Sequence, residues 1–219
     1  MKGLDIAILL SALAAIAGAW FGGDALWLHY AAKPLTTVLV LWRAAAAAPA
    51  ISPRYRRAVL AGMALSLVGD VLLMLPVDLF VPGLIAFLLA HIGYIVAFAP
   101  GSTRAARAIG FGVLAVVVAV NLAGLLPHIA PALKGAVLAY VVVLASMAAF
   151  ALARAWTPVL IHAWPRATRF AAFGAVCFVA SDSLLAWDRF GGGVPLAPLA
   201  ILSTYWIAQW CIARSVEAR

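Results

Sequence analysis

Apolar residues run along this chain in long blocks, broken by short polar or Pro/Gly-bearing stretches. The windows 6–23, 79–103, 108–133, 135–153 and 190–213 contain no Asp, Glu, Lys or Arg. Windows 58–75 and 170–187 hold one acid each, Asp70 and Asp182, and window 25–48 is interrupted by Lys33 and Arg43. A helix crosses a bilayer with about 20 mostly apolar residues. The pattern therefore predicts an all-α integral membrane protein with eight transmembrane helices, near 4–23, 25–48, 57–75, 80–100, 107–127, 133–154, 168–187 and 195–214. An interfacial second segment would reduce the count to seven. The first window follows Lys2 and has the look of a signal peptide, but the segments behind it already form a polytopic protein, so it reads as a retained helix. Residues 1–219 form one membrane domain, with no soluble domain left over.

Composition agrees. The chain is 67% apolar and 10% charged, and its mean hydropathy is +1.12. That excludes a soluble enzyme, a disordered chain, a secreted disulfide scaffold and a collagen-like fibre. Cys177 and Cys211 stand alone in apolar runs and make no disulfide framework or metal-ligand spacing. Gly191-Gly192-Gly193 lacks the Lys-Ser/Thr context of a phosphate loop and reads as a turn. Nothing indicates a metal, nucleotide, flavin or haem, so no cofactor is expected.

The net charge of +8 reads as topology rather than as nucleic-acid binding. With eight spans, Lys2, Arg43, Arg54, Arg56, Arg57, Arg104, Arg107, Arg154, Arg166, Arg169, Arg214 and Arg219 share one side, and Lys33, Lys134 and Arg189 the other. The positive-inside rule then puts both termini in the cytoplasm, in a bacterial inner membrane. Trp27, Trp42, Trp156, Trp164 and Trp187 fall near helix ends, as an aromatic belt does.

Five of the seven acids lie toward the far side: Asp24, Asp70, Asp78, Asp182 and Asp188. Asp70 and Asp182 each sit five residues before the end of their window, about 7 Å inside it at 1.5 Å per residue. Their surroundings repeat. Gly69-Asp70-Val71-Leu72-Leu73 matches Ser181-Asp182-Ser183-Leu184-Leu185, a second acid follows (Asp78, Asp188), and a tyrosine comes 24 or 23 residues after the first (Tyr94, Tyr205). Four helices per half make two parallel repeats, and sites in such proteins lie where halves meet. Asp78 and Asp188 read as loop charges, with an entrance role as the lesser alternative. Asp5 and Asp24 receive no role.

Five blocks carry a family likeness: Lys33-Pro34-Leu35-Thr36; Gly69 to Leu73; Ala86-Phe87-Leu88-Leu89-Ala90-His91-Ile92-Gly93-Tyr94; Ser181 to Ala186; and Thr204-Tyr205-Trp206-Ile207-Ala208-Gln209. In these blocks, and in their order, the chain resembles the YhhN-like membrane proteins, which include the lysoplasmalogenases. The resemblance implies eight helices and hydrolysis of the vinyl ether of lysoplasmalogens, releasing a fatty aldehyde and a glycerophospho-ethanolamine or -choline. It implies that Asp70 and Asp182 are the catalytic aspartates. Asp188-Arg189-Phe190 departs from it, since the family pattern has Asn before Arg-Phe.

The chemistry fits the residues. Vinyl ethers resist base and yield to acid. Protonation of the alkene carbon distal to oxygen makes an oxocarbenium ion, which water captures at the carbon next to oxygen. One carboxylic acid and one carboxylate serve this sequence, as they do in glycosidases. An intramembrane acid costs about 2.5–3.5 kcal/mol even on lenient scales and marks function by default; the plain alternative is a neutral Asp bonded to a neighbouring helix. His91 and Tyr94 share a face. His91 orients a carboxylate, passes protons, or simply bonds between helices. Tyr205 and Gln209, at i and i+4, and Tyr140 are candidates to hold water or the glycerol hydroxyl, or are interhelical glue. Lys33 is a candidate phosphate ligand or a snorkelling anchor. The expected partners are a lysophospholipid and the bilayer. The rival readings are a proton-coupled transporter, equally at home with paired acids in repeated halves, and a non-catalytic scaffold.

Overall fold

The computed structural model describes residues 2–157 and 165–218, and all description below concerns those residues. Their helices are α1 (Lys2–Phe21), α2 (Leu26–Ala45), α3 (Pro53–Met74), α4 (Phe80–Phe98), α5 (Arg104–Leu125), α6 (Pro131–Trp156), α7 (Pro165–Phe190) and α8 (Ala197–Arg214). Local sequence starts several of them. Ser52 caps α3 by accepting from the Tyr55 N–H, with Pro53 at the first helical position, and Thr103 caps α5 by accepting from the Ala106 N–H. Both devices satisfy amides that a first turn leaves bare.

Six of the helices, α1 and α3 to α7, are long and apolar enough to cross a membrane. Large apolar side chains such as Leu10, Val116, Val120, Val142 and Phe173 point outward from the bundle, as in a protein solvated by lipid. The chain is an integral membrane protein. The remaining two helices, α2 and α8, fall short because they carry polar side chains: Lys33, Thr36 and Thr37 on α2, Tyr205 and Gln209 on α8. All five are buried inside the bundle. Mean hydropathy averages these inward polar side chains with the outward apolar ones of the same helices, Leu35 and Val38 on α2, Leu199 and Ile207 on α8.

Successive helices pack as hairpins: α1 with α2, α3 with α4, α5 with α6, and α7 with α8. The hairpins close into a ring through α2 against α3, α4 against α6, α6 against α7, and α8 against α2 and α1. Small residues permit the close approaches. A Cβ on Gly93 would meet the Gly62 amide at 3.2 Å, and one on Gly174 would meet the Ala208 carbonyl at 2.8 Å. Such contacts replace the hydrophobic drive that is absent between helices in lipid.

Contacts fix two ends of the bundle. At one end lie the start of α1, the end of α2 and the chain's C-terminal segment. Arg43, fully buried, is 3.3 Å from both Asp5 and Glu217. Asp5 also accepts from Trp210 Nε1 at 2.9 Å, and Tyr55 and Ser215 hydroxyls meet at 2.8 Å. At the other end, Phe80 packs edge-on against Phe190, and Arg189 pairs with Asp78.

Several expectations change here. Arg43, counted above among the charges of one side, is the buried centre of an ion cluster, and Asp5, which received no role, belongs to it. Helix α7 continues to Phe190, so Asp188 and Arg189 are helical. Measured from the helix ends, Asp70 lies four residues in and Asp182 eight, about 6 and 12 Å at 1.5 Å per residue. The equal depth inferred from the windows does not hold on that measure. Trp27, Trp42 and Trp156 are exposed, as a belt requires. Trp187 instead turns inward, its Nε1 donating to Asn121 Oδ1 at 3.3 Å. Trp164 lies outside the described residues.

Candidate functional site

Both aspartates border one cavity of about 490 Å³. Its wall includes the last turn of α1 at Ala19, the start of α4 at Phe80, the end of α7 at Asp188 and Phe190, and the start of α8 at Ala197 and Pro198. It therefore occupies the half of the bundle opposite the Arg43 cluster. Its polar floor holds Lys33, Asp70, Tyr140, Asp182 and Tyr205. Apolar side chains of α5 and α6, among them Val117, Leu122, Val141 and Leu144, line its apolar arm.

Asp70 is 2% exposed. Its Oδ2 accepts from Thr37 Oγ1 and from the Tyr205 hydroxyl, each at 2.7 Å, and its Oδ1 faces Lys33 Nζ at 3.6 Å. Lys33 and Thr37 sit one turn apart on α2, so a single helix face presents both. Lys33, expected at the substrate phosphate, is thus buried against the carboxylate, which leaves it little freedom to snorkel outward. Behind Tyr205 a chain of bonds continues: Gln209 Nε2 donates to the Tyr205 oxygen at 3.1 Å, and the Tyr94 hydroxyl donates to Gln209 Oε1 at 3.0 Å.

Asp182 has different company. Its Oδ2 accepts a short hydrogen bond from the Tyr140 hydroxyl. His91 Nε2 lies 3.0 Å from that hydroxyl and 3.6 Å from the carboxylate. The single Tyr140 proton goes to Asp182, so His91 donates through Nε2–H to the Tyr140 oxygen. Its Nδ1 is buried without a partner. Phe178 stands between the two clusters, packed edge-on against His91 at 4.7 Å and Tyr205 at 5.5 Å.

Of the residues picked from sequence, Asp70, Asp182, Lys33, Tyr140 and Tyr205 meet at the cavity. His91, Tyr94 and Gln209 do not reach its wall and stand one layer behind it. Sequence reasoning gave no role to Thr37, whose signal was its i+4 spacing from Lys33, or to His29 and Ser181, which also line the cavity.

The sequence model of the YhhN family matches residues 28–216. The chain belongs to this family. Among curated proteins it is similar to Lysoplasmalogenase TMEM86B of Sus scrofa, 34% identical over 185 residues, covering 84% of this chain and 72% of that one. The Homo sapiens protein of that name is 33% identical, over 68% of this chain and 59% of its own. A lysoplasmalogenase of Mycobacterium tuberculosis is 39% identical over 161 residues, 70% of this chain and 58% of that protein. The YhhN-family chain thus spans less than two thirds of the human and mycobacterial relatives' length. No solved structure matches it.

Proposed function

We propose that this YhhN-family protein is a membrane-embedded hydrolase that cleaves the vinyl ether of lysoplasmalogens, with Asp182 as general acid and Asp70 as its carboxylate partner. The observation that carries the assignment is the unequal company of the two acids. Asp70 faces the Lys33 ammonium and accepts from two hydroxyls, a set of donors that favours the charged carboxylate. Asp182 accepts from one tyrosine, and among the described residues the basic side chain that faces it, His91, is engaged with that tyrosine.

In this reading the alkenyl chain lies in the apolar arm and the ether oxygen at the polar floor. Asp182 delivers its proton to the alkene carbon distal to oxygen. The Asp70 carboxylate faces the resulting oxocarbenium ion and takes a proton from the water that adds to the carbon next to oxygen. The hemiacetal then collapses: its hydroxyl proton returns to Asp182, and the Asp70 proton goes to the departing glycerol oxygen. Both acids end as they began, and the products are aldehyde and glycerophospho-base. Tyr205 and Tyr140 hold the two carboxyls in position. His91, Tyr94 and Gln209 orient those tyrosines rather than touch substrate.

The names of the relatives support the substrate class, and the apolar arm beside a polar floor supports a single-chain lipid. Eight crossings, two parallel halves and cytoplasmic termini belong to the same proposal. Exchange of the halves carries α2, α3 and α8 onto α6, α7 and α4, and these are the helices that surround Asp70 and Asp182 respectively. The decisive experiment incubates purified protein with lysoplasmalogen, its acyl ester and its saturated ether. Aldehyde release from the alkenyl ether alone is expected; equal turnover of the ester places the protein in another hydrolase class.

A further inference from the structure

The end of the bundle opposite the Arg43 cluster holds a second hollow, of about 430 Å³, walled by residues 72, 73 and 75–80 and by Leu185, Asp188 and Arg189 of α7. Leu73, Phe80, Leu185 and Asp188 border both this hollow and the main cavity. The hollow therefore adjoins the cavity at four shared side chains, in the position of an antechamber. Its chemistry is unlike that of the apolar arm. Arg189 Nη2 lies 3.0 and 3.2 Å from the two carboxylate oxygens of Asp78, and its guanidinium carbon stands 4.2 Å over the Phe80 ring. Asp188 accepts from the Val194 N–H at 3.0 Å through one oxygen. The Asp78 side chain is 74% exposed and that of Arg189 38%, so their ion pair is wet and weakly held. A guanidinium carries five N–H donors, and Asp78 engages one of its nitrogens.

We propose that this antechamber binds the zwitterionic head of a lysophospholipid, Arg189 taking the phosphate and Asp188, with Asp78, taking the ammonium. The lipid class rests on the hydrolase reading above; the site rests on the charges and on the geometry. Asp182 and Asp188 are six residues apart on α7, about 9 Å along its axis, which is within reach of a glycerophosphate. A lipid with its ether oxygen beside Asp182 and its tail in the apolar arm directs its head to Arg189. Bidentate capture of phosphate by a guanidinium displaces Asp78, whose freed carboxylate then faces the cation.

The test uses the full chain in detergent and three saturated-ether lipids with one common tail: alkylglycerophosphoethanolamine, alkylglycerophosphate and alkylglycerol. These cannot be hydrolysed as vinyl ethers, so calorimetric binding reads the site whether or not the protein is a hydrolase, and turnover of the alkenyl lipid tests that reading separately. The wild type is expected to bind both phosphate-bearing lipids at least tenfold more tightly than alkylglycerol. Arg189→Gln is expected to abolish that preference and leave alkylglycerol within twofold. Asp188→Asn is expected to weaken the phosphoethanolamine lipid only, and to leave the alkylglycerophosphate unchanged or tighter, because a repulsive charge is gone. A wild type that binds the three lipids equally, or an Arg189→Gln that weakens all three equally, overturns the proposal; the first result needs no variant to fold.

Discussion

Lys33 on α2 places its ammonium 3.6 Å from Oδ1 of Asp70 on α3, with both side chains inside the bundle. A lysine acting there as a counter-ion and a lysine acting as a headgroup ligand differ in kinetics. Lys33→Met leaves Asp70 buried without its cation. It is expected to lower kcat by about tenfold to a hundredfold, comparably for alkenyl lipids with and without a headgroup. A rise in KM confined to phosphate-bearing lipids would instead return Lys33 to the phosphate.

The two acids were legible in the sequence because an Asp inside an apolar window has no cheap explanation. The partners were harder. Thr37 and Asp70, Tyr140 and Asp182, Tyr94 and Gln209 meet across 33, 42 and 115 residues, and periodicity along one helix says nothing about which neighbour it faces. Spacing did reveal which residues share a face, so Tyr205 and Gln209 were found together, but it could not order them by distance from the cavity. Asp188 and Arg189 were read as loop residues because charges mark the end of an apolar window. Helix α7 nevertheless continues through them, since a helix leaving the hydrocarbon needs no further apolar residues. The same limit hid Arg43, which looked like a topology marker and is instead buried between two acids.

Tyr94 lies behind the wall, so its removal should affect stability more than chemistry. Tyr94→Phe leaves Gln209 Oε1 without its donor in a buried site, a loss of about 1–3 kcal/mol. Thermal unfolding in detergent should fall accordingly, while turnover below the melting range stays within a few-fold. Tyr205→Phe removes a bond made directly to Asp70 and should lower kcat by at least tenfold with a smaller change in melting temperature.

Arg43 offers a contrast far from the cavity. Arg43→Met leaves Asp5 and Glu217 without the cation they share, and breaking a buried pair costs about 3–5 kcal/mol. A large drop in melting temperature with unchanged KM for the surviving folded fraction is expected. Reporter fusions at Arg56 and after the C-terminus should read cytoplasmic, and fusions at Ile129 and Gly192 external. A C-terminus on the outside would sink the eight-crossing topology and the parallel halves together.

The aspartate pair gives the sharpest expectation. Asp70→Asn and Asp182→Asn keep size and much of the hydrogen bonding, and remove the negative charge together with the ability to exchange a proton. Each should cost 10²-fold or more in kcat, because a general acid and a carboxylate partner each contribute on that scale. The two act on one transition state, so the double variant should be little slower than the poorer single. Their residual activities should also differ in kind. With Asp182 intact, Asp70→Asn still protonates carbon through the enzyme's own acid, and its slow turnover should retain a normal solvent deuterium isotope effect and specificity for the alkenyl ether. Asp182→Asn lacks the proton donor and should be the more damaged of the two. The reverse order in well-folded protein would exchange the two roles; near-wild-type turnover in either single variant would end the two-carboxylate mechanism.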